Sequence, residues 1–238
     1  MIYLYAITDD PEVTTLPESG IGGASLLTCA YRDVAAVISP MVSAEIEPTA
    51  DNVWRHEEIV EALMAESAVL PVRFGTVLAD RTAVQATLAV HYSRFVTNLD
   101  RVRGRVELGL RVLWDDDGCP TDKDDGGRMA HSGRAYLMAR VEKEHQVQAS
   151  RQRGEALAAE LDARLADLAV QSTHRALVTP RLLLTAAYLV EQDQVVPFQQ
   201  RVRALGAAYP ALRFLCTGPW PPYSFVGAVV STANERER

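Results

Sequence analysis

His56 followed by Glu57 matches the first two positions of H-E-x-x-H, a pattern in which two histidines four residues apart reach one zinc ion from one helical face. The second histidine position holds Val60, so the pattern fails and His56 is left a packing or hydrogen-bonding role. His91, His131, His145 and His174 fall at no ligand spacing, and the odd set Cys29, Cys119 and Cys216 matches no zinc framework. No metal is expected. Cys29 and Cys216 sit in apolar runs and read as small core residues, whereas Cys119 lies in a polar stretch as a free thiol. Ser224 lacks the preceding glycine of a nucleophile elbow, and no cysteine has a histidine close by in sequence to activate it. There is no G-x-x-x-x-G-K-[ST], and Gly20, Gly22 and Gly23 make no dinucleotide fingerprint. Paired carboxylates are plentiful and read as solvated faces. The expectation is a protein without catalysis and without a cofactor.

Two segments carry chemistry of another kind. Arg73 stands between Val72 and Phe74 in an apolar stretch. A buried arginine needs a carboxylate or several carbonyls, since deleting one partner of a buried pair costs roughly 3–5 kcal/mol. Glu57, Glu58 or Glu61 would supply it if the first helix packs over this strand. The alternative is an exposed edge at which Arg73 recognises a partner. In GPWPPYSF (218–225), Pro219, Pro221 and Pro222 fix φ and remove N–H donors, which argues against ordinary helix or strand and predicts an extended, polyproline-like run. Trp220, Tyr223 and Phe225 then project at separated angles, either buried beneath a stiff strap or displayed as an aromatic platform. Arg73, Trp220 and Tyr223 are the candidate partner-binding residues.

The elements that must position these residues can be read from periodicity. Ile2 to Thr8 predicts an opening strand, and 26–31 with 34–39 a hairpin turning at Arg32 and Asp33. A helix over about 51–67, capped by Thr49 or Asp51, carries Val53, His56, Val60, Leu63 and Met64 on one face. Residues 69–78 are β-rich, but Pro71 forbids a simple central strand. Asp80 caps a second helix with the face Val84, Leu88, Tyr92, Phe95 and Leu99, and 105–114 reads as the closing strand of a βββαβαβ half. The second half predicts a strand at 134–141, a helix over about 143–170 with the stripe Leu157, Leu161, Leu165 and Leu168, joined earlier by Val147, and strands near 176–180 and 182–191. A helix capped by Asp193 follows, with Val195, Phe198, Val202 and Leu205, then a last strand at 212–217. That βαββαβ order is ferredoxin-like. The fold class expected is α+β in two domains: 1–114, an acidic flexible loop at 115–133, and 134–231 carrying the proline-rich strap, with a disordered tail at 232–238.

The chain of 238 residues is 48% apolar and 23% charged, an ordinary globular balance long enough to bury its own core. A formal charge of −7 disfavours nucleic acid, which asks for a basic face. The N-terminus has no basic stretch ahead of an apolar one, and no apolar run reaches membrane-spanning length, so a cytoplasmic protein is expected.

Several segments together resemble the gas vesicle protein F/L family. The opening YLYAI run is similar to its first strand. His56-Glu57-Glu58 with Val60, Glu61 and Leu63 resembles its first-helix signature. Leu70-Pro71-Val72-Arg73-Phe74-Gly75-Thr76 resembles its central motif, and Gly218 through Phe225, including Pro219, its C-terminal motif. The segments occur in the family's order along nearly the whole chain. The resemblance implies a two-domain α+β protein, associated with gas vesicles, that contacts the small apolar shell protein and other vesicle accessory proteins. It leaves open whether such a protein is a minor shell component or an assembly factor. A rival reading, a small-molecule-binding or enzymatic ferredoxin-like protein, follows from the breadth of functions that fold carries.

Overall fold

The computed structural model describes residues 1–13, 16–43, 45–115, 133–176 and 181–227. It is a mixed α+β chain with two sheets and four helices, divided into two units. The first unit takes in Met1–Glu107 and the chain from Pro219 onward; the second is Leu108–Gly218.

The first sheet is built from β1 (Ile2–Thr8), β2 (Leu27–Tyr31), β3 (Val34–Pro40), β4 (Val69–Pro71) and β5 (Val77–Leu78), in the order β2-β3-β1-β4, with β5 also on β1. Helix α2 (Arg81–Val102) sets Val84, Leu88, Phe95 and Leu99 against Leu4, Ile7 and Ile38. Helix α1 (Ala50–Met64) sets Ile59, Val60 and Leu63 against Tyr3, Tyr5 and Val37. β1 and β3 are therefore buried on both faces, which is why they read as nearly continuous apolar runs. A register shift between Leu4 and Ala6 puts Tyr5 and Ala6 in the same cluster, as a bulge does. The expected caps are in place: Thr49 accepts from Asn52 N–H at 3.3 Å and Asp80 from Ala83 N–H at 2.8 Å. On α1 the buried stripe is His56, Ile59, Val60 and Leu63, while Val53 is exposed. The hairpin turn needs Arg32 at φ 57°, with its guanidinium 4.8 Å from the centre of the Tyr92 ring and the Tyr92 hydroxyl donating to Asp33.

In the second unit the order is β6 (Arg105–Trp114), α3 (Gly133–Ala163), β7 (Gln171–Ala176), β8 (Leu182–Glu191), α4 (Val195–Ala208) and β9 (Leu212–Trp220), with strand order β7-β8-β6-β9. Its core joins Leu108, Leu110 and Val112, which share one face of β6, to Leu161 and Leu165 at the end of α3 and the turn beyond it and to Phe198, Val202 and Leu205 of α4.

The βαββαβ order holds with a different first strand. Residues 134–141, expected as a strand, are the start of α3: their Arg, Ala, Leu and Met are good helix formers, and no Gly or Pro separates them from the helix that follows. The opening strand is β6, expected to close the first half and found inside the second sheet. The unit boundary accordingly falls after Glu107 rather than after Trp114. Helix α3 ends at Ala163, earlier than expected, and Leu165 packs from the turn beyond it. β7 lies at Gln171–Ala176 instead of 176–180; its polar QSTHR string carries no apolar alternation to reveal it. Asp193 sits in a short turn ahead of α4, whose N-cap residue is Gln194. Residues 116–132, 177–180 and 228–238 lie outside the described residues, and with them most of the acidic loop, Cys119, His131 and the expected tail.

Candidate functional site

The β-rich stretch 69–78 does not run as one strand. β4 and β5 lie along the same edge of β1, Ile7 facing Leu70 and Tyr3 facing Val77, and the chain leaves that edge between them. The excursion is bracketed by two backbone bonds, Val72 N–H to Tyr5 O and Leu4 N–H to Thr76 O, both 3.0 Å. It closes as a turn: Thr76 N–H reaches Arg73 O at 3.2 Å, and the Thr76 hydroxyl donates to the same carbonyl at 2.7 Å. Gly75 at φ +83° supplies the left-handed residue.

A buried side-chain circuit holds this turn. His56 lies across from it on α1, with Nε2 3.0 Å from Val72 O and Nδ1 2.9 Å from the Tyr3 hydroxyl. A carbonyl only accepts, so Nε2 carries the proton and Nδ1 accepts from Tyr3. The Tyr3 oxygen in turn accepts Gly75 N–H at 3.1 Å. His56 and Tyr3 are both fully buried. Tyr5 stacks on the His56 ring with its plane inclined by 27° at 5.7 Å between centres, and Phe74 meets it edge-on at 5.8 Å. Burial pushes the His56 ring down to about 4, against the pull of its bond to Val72 O, so the imidazole is neutral near pH 7. Burial likewise raises the Tyr3 hydroxyl above its ordinary range. His56 Nε2 and the Tyr3 oxygen each hold a backbone group of the turn, and the Tyr3 hydroxyl to Nδ1 bond links the two side chains.

The C-terminal motif joins the same unit. Pro221 and Pro222 are buried, and the chain then turns, with Phe225 N–H on Pro222 O at 3.1 Å. The Tyr223 hydroxyl donates to Glu57 Oε1 at 3.0 Å, and Ser224 gives Glu107 its N–H at 2.8 Å and its hydroxyl at 2.7 Å. Arg101 of α2 donates to the Phe225 carbonyl, and Phe225 and Val226 are buried. Burial raises the Glu57 carboxyl, opposed by the Tyr223 bond and reinforced by nearby Glu61.

The individual expectations fare differently. His56, Glu57, Pro71, Phe74, Gly75, Tyr223 and Phe225 are gathered in one unit. The strap, assigned to the second domain from its place in sequence, is anchored instead to α1, α2 and Glu107 of the first. It is a turn and not a polyproline run, and Gly218, Pro219 and Trp220 finish β9, an edge strand where a missing N–H is tolerated. Its aromatics divide: Phe225 is buried, Tyr223 half-buried, and Trp220 43% exposed. Arg73 is exposed, not buried in a strand, because the turn lifts it off the sheet edge. Sequence reasoning missed Tyr3, although a hydroxyl in an otherwise apolar strand signals a buried polar partner. It also missed Trp54, 73% exposed on α1. Among the described residues, no group of three or more His, Cys, Asp or Glu is placed to hold a metal ion. In the second unit, Asp162 accepts from the buried Tyr188 hydroxyl at 2.8 Å and lies 3.2 Å from Nδ1 of the exposed His174, a polar cluster that runs from that core to the surface.

The family model for "Gas vesicle synthesis protein GvpL/GvpF" matches residues 1–227. The chain belongs to the GvpL/GvpF family. It is 30% identical to gas vesicle protein L of a Streptomyces species, over 99% of this chain and 96% of that one. It is 29% identical to gas vesicle protein F2 of Halobacterium salinarum, covering 94% and 91%. A crystal structure of GvpF from Anabaena sp. PCC7120 superposes with a TM-score of 0.77 at 20% identity, covering 97% of each chain, a likeness of fold. The motifs that pointed to the GvpL/GvpF family are thus segments that the His56 circuit and the Tyr223–Glu57 bond tie into one unit. No helix among the described residues is long and apolar enough to cross a membrane.

Proposed function

We propose that the protein is a cytoplasmic, vesicle-associated assembly factor that binds the gas vesicle shell protein, together with other vesicle accessory proteins, and acts without catalysis or cofactor. The observation that carries this reading is the division of labour in the 72–76 turn. Its buried atoms are engaged in positioning backbone, and Arg73 is held outward on a rigid base. A rigid turn with an exposed arginine suits recognition, since little ordering remains to oppose binding. Membership of the GvpL/GvpF family supports the choice of partner. An apolar shell subunit exposes strand edges and apolar faces that self-associate, and an acidic soluble partner keeps such a subunit dispersed.

The test is to dilute shell protein from denaturant into buffer with and without the purified full chain, following light scattering and co-purification in chelator and without nucleotide. The expected result is delayed scattering and a recoverable complex. A folded protein that neither binds the shell subunit nor slows its aggregation overturns the proposal.

A further inference from the structure

The second unit contains a groove of about 450 Å³ where α4 passes over the edge strand β9. Val202 and Gly206 of α4 and Phe214 and Cys216 of β9 line it, with Arg203 and Arg213 alongside. β9 ends the strand order, and among the described residues no strand pairs with its outer edge. Alternate backbone N–H and C=O groups of an edge strand face away from the sheet and can receive another strand. The usable run is 212–217, about 20 Å at ~3.3 Å per residue, before Gly218 at φ 106° and Pro219 interrupt it.

The other edge of this sheet is unlike it. β7 exposes Gln171, Thr173 and His174, and His174 is tied to Asp162. β9 exposes Leu215 and leaves Phe214 and Cys216 half-covered beside the groove. Both the groove, lined by apolar and basic side chains together, and the open backbone therefore fall at one end of the sheet's order.

Charge selects the occupant. Arg203 is exposed and makes no hydrogen bond or ion pair among the described residues, and Arg213 reaches Asp115 Oδ1 at 3.2 Å on the surface. In a chain of net charge −7, two arginines lining one groove with Val202, Phe214 and Cys216 mark a site for a carboxylate next to apolar side chains. A second copy of β9 fits poorly, since it would bring another Arg213 to the shared edge. We infer that β9 receives an extended segment of the shell protein as an added strand, with apolar side chains in the α4–β9 groove and an acidic side chain at Arg203 and Arg213. The source of the segment rests on the shell-binding reading above; the site and its chemistry rest on the groove.

Hydrogen exchange of the full chain, with and without shell protein, tests this directly. Added-strand pairing slows exchange in peptides covering 212–217 and leaves 171–176 unchanged. Gly206→Leu, which fills the groove from α4, and Arg203→Glu, at an exposed position, should each weaken shell binding about tenfold with an unchanged melting temperature. Shell binding with unprotected 212–217, or with both variants binding as the natural chain does, overturns this inference and leaves the shell-binding reading standing. Failure of the natural chain to bind shell protein at all removes both.

Discussion

Two sheet edges in this molecule are treated in opposite ways. In the first unit the edge beside β1 is interrupted: β4 and β5 cover its ends, and the 72–76 turn between them is pinned by His56 and Tyr3. In the second unit the β9 edge runs on beside a groove of mixed apolar and basic lining, with no comparable pinning among the described residues. The contrast teaches where recognisable sequence comes from. A turn that needs a positive-φ glycine, a proline at a strand end and a neutral buried histidine can be made by few residues, so it leaves a distinctive string. An edge strand beside a groove needs only alternation, which many sequences supply.

Removing the pin should have the largest effect. His56→Ala leaves Val72 O and the Tyr3 hydroxyl unpaired and opens a cavity, a loss of about 3–5 kcal/mol in urea unfolding of the full chain. A loss below about 1 kcal/mol would show that the turn stands without the circuit. Acid probes the same pin. The ring titrates near about 4 in the folded chain and near 6.5 when unfolded, so the unfolded state binds the extra proton between these values. The stability from neutral His56 is complete above about pH 6.5 and falls as the pH drops towards 4, by about 3 kcal/mol at the lower end. Glu57 works in the opposite sense, since its raised carboxyl relieves the folded state on protonation. Unfolding curves of the natural chain and His56→Gln across this range isolate the histidine, and the variant should lose its part of the slope. Gly75→Ala meets no neighbour and costs only backbone strain, about 1–2 kcal/mol. Tyr223→Phe removes one half-buried bond to Glu57 and should cost about 1 kcal/mol in the same assay.

Much of the first unit was legible in the sequence because its signals are local. The hairpin at Arg32 and Asp33, the caps at Thr49 and Asp80 and the α2 stripe each depend on residues a few positions apart. What escaped depends on distant partners. β6 alternates like any half-buried strand, and nothing within it says which sheet it joins. The strap follows β9 in sequence, yet Glu57, Arg101 and Glu107 anchor it, and no spacing rule connects them. Arg73 was misplaced for a similar reason: in a continuous strand it would be buried, and only the tertiary pinning of the turn turns it outward.

Arg73→Ala carries the central claim, that the buried atoms of the turn support it while its exposed residue serves a partner. Unfolding free energy and shell-protein affinity should be measured on the same preparation of this variant. The account predicts stability within about 0.5 kcal/mol of the natural chain, as for an exposed side chain, with shell binding weakened at least about fivefold. A stability loss above about 1.5 kcal/mol, or unchanged shell binding, would contradict it.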